Sequence, residues 1–401
     1  MLRRAAQHGG RGGRCSVTRR KLRRCSGTQA VATVIIGLQR APNGVRLRPS
    51  HWEAGMRQPE PGRVRRPRAD DRLMRDVLFS ISGYPAVLVA HDLKLYPLLA
   101  ERPRTLPEVC DALNIAPRAA EALVSVSTAL GLLEERDGRY SLTPVAEDYL
   151  LEGSATYFGG YFDMMIQNYA MYSFESLRRA VLTDAPQFYG GDDVFTSHRN
   201  RADRVRSYTR AMHGTSMAAA LAWPERVDLS GHRLMLDIGG GSGAHAIGAA
   251  QQWAKLQVVV FDLAPVCGLA DEFIARHGLE DRVRTQVGDM WADTFPPADL
   301  HFYSQIYHDW PPDRCRLLTR KSFEGLEPGG RVILHEMLYD DRKTGPFSTA
   351  AMNINMLLQY EAGRQYSGRE LSAMLEEAGF SDIEVTPTFG YYSIVIGRKP
   401  G

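Results

Sequence analysis

The sequence of 401 residues predicts an α/β protein with a doubly wound, mostly parallel sheet in its C-terminal half and a mainly helical module before it. Two observations predict the sheet. Short apolar runs alternate with helical patterns after Leu234, and a glycine-rich turn joins the first run to a helix. A third observation predicts the helical module, because apolar residues recur at helical spacing between Arg72 and Leu151.

The first 72 residues form a basic segment, with 18 Lys and Arg against four acidic residues and a charge of +14. This segment is rich in Arg, Gly and Pro, and we expect residues 1–72 to be a disordered or non-native extension. A start codon placed too early, with Met56 or Met74 as the later candidates, would account for a non-native extension, and an organelle-targeting peptide is the alternative. The rest of the chain carries −11, which argues against nucleic acid as its ligand.

The helical module is expected over residues 73–225 and begins as a winged helix-turn-helix. Two helices are predicted over 106–113 and 118–130, and a two-stranded wing over 132–142 turns at Asp137-Gly138. A helix that reads DNA presents Arg, Lys, Asn or Gln to the major groove. The second helix offers only Arg118, which Glu121 offsets. We therefore predict a buried helix, and a DNA-binding regulator becomes the less favoured hypothesis.

The glycine-rich turn follows the first predicted strand as Gly239-x-Gly241-x-Gly243. A dinucleotide fingerprint has its third glycine three residues after the second, whereas here it comes after two. The turn therefore predicts a ligand that approaches the backbone closely and carries no pyrophosphate. Asp262 ends the second apolar run, 19 residues beyond Gly243, where a carboxylate can accept ribose hydroxyls. Asp289 ends the third run and could face an adenine amino group.

The catalytic domain is expected over residues 226–401 with a regular alternation of elements. A helix is predicted between each pair of neighbouring strands, and a hairpin-like pair over 383–385 and 391–396 supplies an antiparallel edge. The five preceding strands are predicted at 234–238, 257–261, 282–287, 298–304 and 330–336.

Five short motifs together resemble the class I S-adenosylmethionine-dependent O-methyltransferases of the acetylserotonin and caffeate type. The motifs are Asp237–Gly243, Phe261-Asp-Leu263, Gly288-Asp-Met290, His308-Asp-Trp310 and Pro328-Gly-Gly330. The family includes bacterial enzymes that methylate phenols of polyketides and other aromatic natural products, and the resemblance covers roughly residues 73–399. It implies a Rossmann-like methyltransferase sheet, a winged-helix dimerisation domain, a homodimer, and S-adenosyl-L-methionine as cofactor without a metal.

The same resemblance implies roles for individual residues. His308 is expected to act as general base, since an imidazole suits proton abstraction from a phenol. Glu336 is expected to orient it, and Gln365 stands where the family has a second Glu. Glu361 is an alternative second acid, because Gln365 cannot stabilise an imidazolium by charge. The expected cofactor-binding residues are Gly239, Gly241, Asp262, Asp289, Met290 and, as a weaker candidate, Ser304.

Methionine and aromatic side chains are candidates for the wall of a pocket for a flat acceptor, since they adapt well to ring faces. Core packing and dimer contact are the alternative for each of them. The resemblance places the helix over 202–221 across the mouth of the site. The expected acceptor-binding residues are Met165, Tyr169, Met212, Met352, Asn353 and Met356.

Cysteine spacing and hydropathy point to a cytoplasmic location. The five cysteines are scattered without a C-x-x-C pair, which disfavours a disulfide framework and a zinc site. No apolar run approaches the roughly 20 residues that span a bilayer. We thus expect O-methylation of an aromatic or polyketide-like hydroxyl, with no nucleic acid or membrane as partner. C- or N-methylation and a non-methylating relative that uses the same cofactor remain alternatives.

Overall fold

The computed structural model describes residues 66–188 and 201–401. The predicted basic extension lies outside the described residues up to residue 65, so its character stays a prediction. Within the described part, Asp70–Gly401 forms one compact unit.

The N-terminal module is a winged helix, as predicted. The wing turns at Asp137 and Gly138, whose φ angles of 52° and 77° are those that a tight hairpin of this kind requires. The strands form an antiparallel sheet in the order β1-β3-β2. The elements are α1 (Arg72–Asp92), α2 (Leu95–Glu101), β1 (Arg104–Thr105), α3 (Leu106–Leu113), α4 (Pro117–Ala129), β2 (Leu133–Arg136), β3 (Arg139–Leu142) and α5 (Pro144–Leu150).

Helix α1 carries the largest group of exposed apolar side chains in this module. It is long and apolar enough to cross a membrane by length and composition alone, with a mean hydropathy of 1.3 and 17% of its most apolar window buried. The sequence expectation concerned uninterrupted apolar runs, and polar residues such as Arg75 and Asp76 interrupt the apolar ones along α1. An exposed apolar face on a helix is also typical of a surface that a protein partner covers. The exposed residues are Leu73, Met74, Val77, Leu78, Phe79, Ile81, Tyr84 and Val89.

In the described part of the connection between the winged helix and the large sheet lie the α-helices α6 (Gly159–Asn168), α7 (Phe174–Thr183) and α8 (Ala202–Ala222). Helix α8 agrees with the prediction over 202–221. Its last turns join the core of the sheet domain, since Met217 and Ala220 pack there together with Trp223. Helix α8 therefore reaches from the helical module to the central sheet.

The central sheet has seven strands in the order β6-β5-β4-β7-β8-β10-β9. Strands β4 to β8 are parallel, and β10 is antiparallel to both of its neighbours, as predicted for the C-terminal edge. The strands are β4 (Leu234–Ile238), β5 (Gln257–Asp262), β6 (Val283–Val287), β7 (Leu300–Ser304), β8 (Arg331–Met337), β9 (Ser381–Phe389) and β10 (Tyr392–Arg398). The helices are α9 (Ala244–Gln252), α10 (Ala264–Arg276), α11 (Pro312–Gly325), α12 (Phe347–Gln359) and α13 (Gly368–Ala378).

The prediction of a helix between every pair of strands was wrong at one place. Residues 288–299, between β6 and β7, form an irregular connection. Asp289 accepts a hydrogen bond from the Trp291 N–H at 2.8 Å, and Asp293 accepts one from the Asp289 N–H at 2.8 Å. Such bonds from carboxylates to nearby backbone compete with a helix, and the prolines at 296 and 297 remove two donors.

Helix α9 packs against α8 with almost no space between their backbones. A Cβ atom at Gly248 of α9 would lie 2.0 Å from the carbonyl oxygen of Ala220. Gly248 therefore sets the distance between α8 and the helix that follows the glycine-rich turn.

We expect the variant Gly248→Ala to lower the free energy of unfolding by roughly 1–3 kcal/mol, because α8 and α9 must separate. Denaturant unfolding of the purified protein measures the change. Gly268→Ala is the matched control, since a Cβ there has nothing within 4 Å in helix α10. The control should stabilise the protein by about 0.5–1 kcal/mol through helix propensity. Equal effects of the two substitutions would contradict the close contact.

Candidate active site

The strand order reverses between β4 and β7, which places a crevice outside the carboxyl ends of these two strands. The glycine-rich turn follows β4, and the segment that carries His308 follows β7. The two predicted parts of the site are thus brought to one edge of the sheet.

The glycine-rich turn has the conformation that glycine allows. Gly239, Gly241 and Gly243 have φ angles of 67°, 58° and 74°. A Cβ at Gly239 would lie 2.6 Å from Cδ1 of Ile306 and 4.0 Å from the sulfur of Met290. The turn, Met290 and the segment after β7 therefore meet at one point.

Asp262 lies against the glycine-rich turn. Its carboxylate accepts hydrogen bonds from the Gly241 N–H at 2.9 Å and the Leu263 N–H at 2.7 Å. Burial raises the pKa of Asp262 to about 6, although both backbone bonds oppose the shift. Each carboxylate oxygen accepts more than one hydrogen bond, so capacity for ribose hydroxyls remains.

Asp237, at the end of β4, is a buried carboxylate whose Oδ2 atom has no hydrogen-bond partner. Burial, together with the charge of Asp262, raises the pKa of Asp237 to about 7. A buried acid of this kind gains from a cationic or donating ligand group. The open turn and this acid fit a ligand with an adenosine part and an ammonium group.

Ser304 and Asp289 differ in the availability of their side chains. The Ser304 hydroxyl lies 2.9 Å from Nε2 of His245 and 3.0 Å from Nδ1 of His335, so it is engaged within the protein. Ser304 could therefore contact a ligand only through its carbonyl group. Asp289 is half-buried and binds the backbone of its own turn through one oxygen, which leaves the other for a ligand.

His308 is buried with carboxylates at both ring nitrogens. Nδ1 lies 3.2 Å from Oε2 of Glu336, and Nε2 lies 3.2 Å from Oδ1 of Asp309. Burial alone would lower the pKa of His308, but the charges of Glu336 and Asp309 outweigh it and raise the pKa to about 10. At neutral pH the ring is therefore an imidazolium.

Gln365 lies beside the same ring, as the sequence predicted. Its side-chain nitrogen is 3.3 Å from Nδ1 of His308, and its backbone N–H donates to Oδ1 of Asn353 at 2.8 Å. An imidazolium has no free acceptor at Nδ1, so with the ring charged the amide must present its oxygen instead. Glu361, the alternative second acid, is exposed.

Two groups from the segment after β7 hold Glu336. The Tyr307 N–H donates to Oε1 at 3.0 Å, and the Gln305 amide donates to Oε2 at 3.0 Å. Gln305 has a φ angle of 55°, which is uncommon for a residue other than glycine. Its backbone is fixed by the hydrogen bond from its N–H to the His335 carbonyl at 3.0 Å.

Sequence reasoning assigned no role to Asp309, Gln305 or Tyr360. Asp309 stands in the quoted His-Asp-Trp motif, which was the available signal for it. The structure makes it the second acid at His308. Tyr360 contacts Asp309, and burial together with the charge of Asp309 raises the pKa of the Tyr360 hydroxyl. The same hydroxyl lies 3.1 Å from that of Tyr208.

Three of the predicted acceptor residues lie on α12, and the other three lie on or just after α6 and on α8. Met352 and Met356 pack with Tyr208 and Tyr360 beside Asp309, and Asn353 holds Gln365. Met165 and Tyr208 share a small cavity. Tyr169 is 43% exposed and lies near Tyr84 of α1, and Met212 is half-buried next to His213. The cavity is lined by Met164, Met165, Asn168, Tyr172, Phe188, Tyr208 and Gln359.

Among the described residues, no group of three or more His, Cys, Asp or Glu side chains could hold a metal ion.

Two family models match the chain. The O-methyltransferase domain model matches residues 174–381, and the O-methyltransferase dimerisation domain model matches residues 78–152.

Similar proteins extend over most of the chain. The 3-hydroxy-5-methyl-1-naphthoate 3-O-methyltransferase of Streptomyces sahachiroi is 37% identical over 333 residues, 82% of this chain and 95% of that protein. The L-tyrosine C(3)-methyltransferase of Streptomyces lavendulae is 30% identical, over 76% of this chain and 85% of its own length. The crystal structure of human N-acetylserotonin methyltransferase in complex with SAM has a TM-score of 0.72 and 26% identity, over 83% of this chain and 99% of that chain.

We expect the variant Asp262→Ala to weaken binding of S-adenosylhomocysteine at least 10-fold, because hydrogen bonds to a charged group are lost. Titration calorimetry on the full chain measures the dissociation constant. Asp271→Ala is the matched control, since Asp271 is exposed on α10. Unchanged affinity in Asp262→Ala would remove this residue from the cofactor site.

Proposed function

Because the chain belongs to the S-adenosylmethionine-dependent O-methyltransferase family, we propose that it methylates a hydroxyl of an aromatic or polyketide-like small molecule with His308 as general base. The observation that carries the proposal is the position of His308. It lies between two buried carboxylates, in the segment whose Ile306 contacts the glycine-rich turn.

The cofactor-binding roles follow from the geometry of the turn. When bound, S-adenosylmethionine supplies an electrophilic methyl group on a sulfonium. Gly239 and Gly241 let the methionine part approach the backbone, and the unpartnered oxygen of Asp237 suits its ammonium group. Asp262 holds the ribose, and Asp289 and Met290 hold the adenine, with Ser304 contributing at most its carbonyl.

The proton of the acceptor hydroxyl goes to Nε2 of His308. A phenol has a pKa of about 10, and the pKa of His308 is raised to about 10 by Glu336 and Asp309 against the effect of burial. The raised pKa makes His308 a stronger base toward a phenol than a free imidazole would be. The base is strong, but at pH 7 only a small fraction of it is unprotonated. Glu336 and Gln365 orient the ring. The carboxylate of Asp309 must move away from Nε2 so that the acceptor hydroxyl can take its place.

The acceptor pocket is proposed to lie between α6, α8 and α12. The Streptomyces relative named above acts, by its name, on a hydroxyl of a naphthoate, a flat aromatic acid. Thioether and aromatic side chains beside Tyr208 suit a ring of this shape. The proposed acceptor-lining residues are Met165, Tyr169, Met212, Met352, Asn353 and Met356.

C-methylation is a second candidate outcome, and one relative favours it. The L-tyrosine C(3)-methyltransferase is 30% identical over 76% of this chain. A phenolate also carries negative charge on ring carbons, so the same base serves both outcomes. The carbon shift of the transferred methyl group in the NMR spectrum of the product distinguishes a methoxy group from a ring methyl.

We propose that the chain consists of an extension over 1–72, a helical domain over 73–225 and a catalytic domain over 226–401. The exposed apolar side of α1 lies partly within the matched dimerisation domain, which supports a homodimer with that side covered. Light scattering that finds a monomer would contradict it. We further propose a cytoplasmic enzyme that needs no metal, nucleic acid or membrane.

His308→Ala tests the proposed function. We expect wild-type protein to add one methyl group to a hydroxylated aromatic compound of a panel, and the variant to lose activity by roughly 10²–10⁴-fold, the usual contribution of a general base. Mass spectrometry of the product measures both. Unchanged affinity for S-adenosylhomocysteine serves as the folding control. Equal product from the variant would contradict the role of His308.

The pH dependence of methyl transfer gives an independent prediction. Because the pKa of His308 is raised to about 10, its neutral form increases as the pH rises, and kcat/KM should climb from pH 7 toward pH 10. Glu336→Gln removes one carboxylate and should shift this limb to lower pH. Gln365→Glu adds one and should shift it to higher pH. A limb that moves in neither variant would show that another group titrates.

A further inference from the structure

Helix α8 is held between two backbones at van der Waals contact. A Cβ at Gly214 would lie 2.1 Å from the carbonyl oxygen of Tyr157, in the segment before α6. A Cβ at Gly248 of α9 would lie 2.0 Å from the carbonyl oxygen of Ala220, on α8. Helix α8 cannot shift without displacing both neighbours, because backbone atoms offer no rotamer to absorb the change.

Next to the first of these contacts, a side-chain hydrogen bond joins α8 to the glycine-rich turn. Nδ1 of His213 lies 2.8 Å from the hydroxyl oxygen of Ser242, and both residues are buried. The His213 ring is stacked on Phe273 of α10, with ring centroids 3.8 Å apart and an angle of 19° between the planes. The ring is therefore fixed in orientation before any ligand binds.

The His213–Ser242 pair is a neutral hydrogen bond at physiological pH. Burial lowers the pKa of His213 to about 4, and the neighbouring His277 and Arg276 act in the same direction. A neutral imidazole has one donor and one acceptor nitrogen. Depending on the tautomer, either the Ser242 hydroxyl donates to Nδ1 or the protonated Nδ1 donates to the hydroxyl oxygen.

Ser242 stands between Gly241 and Gly243, which both have positive φ angles. The Gly241 N–H is bound from one side by Asp262. We propose that His213 is a positioning residue of the cofactor site, which fixes the glycine-rich turn through Ser242 as Asp262 does through the Gly241 N–H. The proposal rests on the cofactor site described above.

The position of His213 on α8 extends its role toward the acceptor. Tyr208 lies on the same helix, and its hydroxyl is 3.1 Å from that of Tyr360, which contacts Asp309 beside His308. The same helix thus contacts the glycine-rich turn through His213 and is connected to Asp309 through Tyr360. His213 keeps these two halves of the site in register.

Titration of the full chain with S-adenosylhomocysteine tests the proposal. His213→Phe keeps a ring for the stack on Phe273 and removes the hydrogen bond, so we expect the dissociation constant to rise roughly 3- to 10-fold. Ser242→Ala, a smaller change, should give a similar rise. The double variant should be no weaker than either single variant, because both remove the same bond. His213→Asn, with an amide near the position of Nδ1, should bind more tightly than His213→Phe.

The matched control is Arg206→Ala. Arg206 is also on α8, and it forms an exposed bidentate ion pair with Glu272 of α10, at 3.0 and 2.9 Å. We expect its affinity to equal that of the wild type. Melting temperatures of all variants separate the two roles, since a purely structural role of His213 would lower the melting temperature and leave the dissociation constant unchanged.

Two outcomes would overturn the proposal: wild-type affinity in both His213→Phe and Ser242→Ala, or losses that add in the double variant. The variant Asp262→Ala separates this failure from that of the cofactor site. Normal binding in Asp262→Ala as well would overturn the site itself. Weakened binding in Asp262→Ala alone would overturn only the role of His213.

Discussion

One buried imidazole, that of His308, has a carboxylate at each ring nitrogen and determines how the loops at the carboxyl end of β7 and β8 are arranged. Separating these charges inside the protein would leave an uncompensated ion, so each must be fixed accurately. The parallel pairing of β7 with β8 places Ser304 opposite His335, which brings Glu336 to the start of the segment after β7. The positive φ of Gln305 then turns that segment, so that the Gln305 amide and the Tyr307 N–H donate to Glu336. The ring of His308, the residue after Tyr307, also lies against Glu336.

The charge of the His308 cluster is compatible with a neutral side chain at position 365. With Asp309 at Nε2, the ring already has two carboxylates, so a third acid would add repulsion as well as attraction. A neutral amide still restricts the ring, and its backbone is anchored by Asn353. The orientation of the Gln365 amide depends on the protonation of His308. If Nδ1 lost its proton, it could accept a hydrogen bond from the amide nitrogen.

Much of this architecture could be predicted from the sequence, since it depends on local patterns. The glycine spacing, the Asp-Gly hairpin and the apolar alternation each specify their own conformation. The engagement of Ser304 could not be predicted, because its partners His245 and His335 are distant in sequence. The role of Asp309 was missed because neighbouring residues rarely face each other in regular structure, and here a short 3-10 turn over Tyr307–Asp309 brings the two side chains together. The absent helix over 288–299 depends on local carboxylate bonds that hydrophobic periodicity does not register.

The tight seating of α8 restricts how enzymes of this design can diverge toward new acceptors. Gly214 of α8 lies against the backbone of Tyr157, and Ala220 of α8 lies against Gly248. A larger residue at Gly214 or Gly248 would therefore displace α8 and disturb both the proposed cofactor site and the proposed acceptor pocket. Helix α12 is less constrained, because Met352 and Met356 reach Tyr208 through flexible thioether chains. In the proposed acceptor pocket, a change of acceptor size is therefore accommodated most readily from α12, while α8 stays fixed.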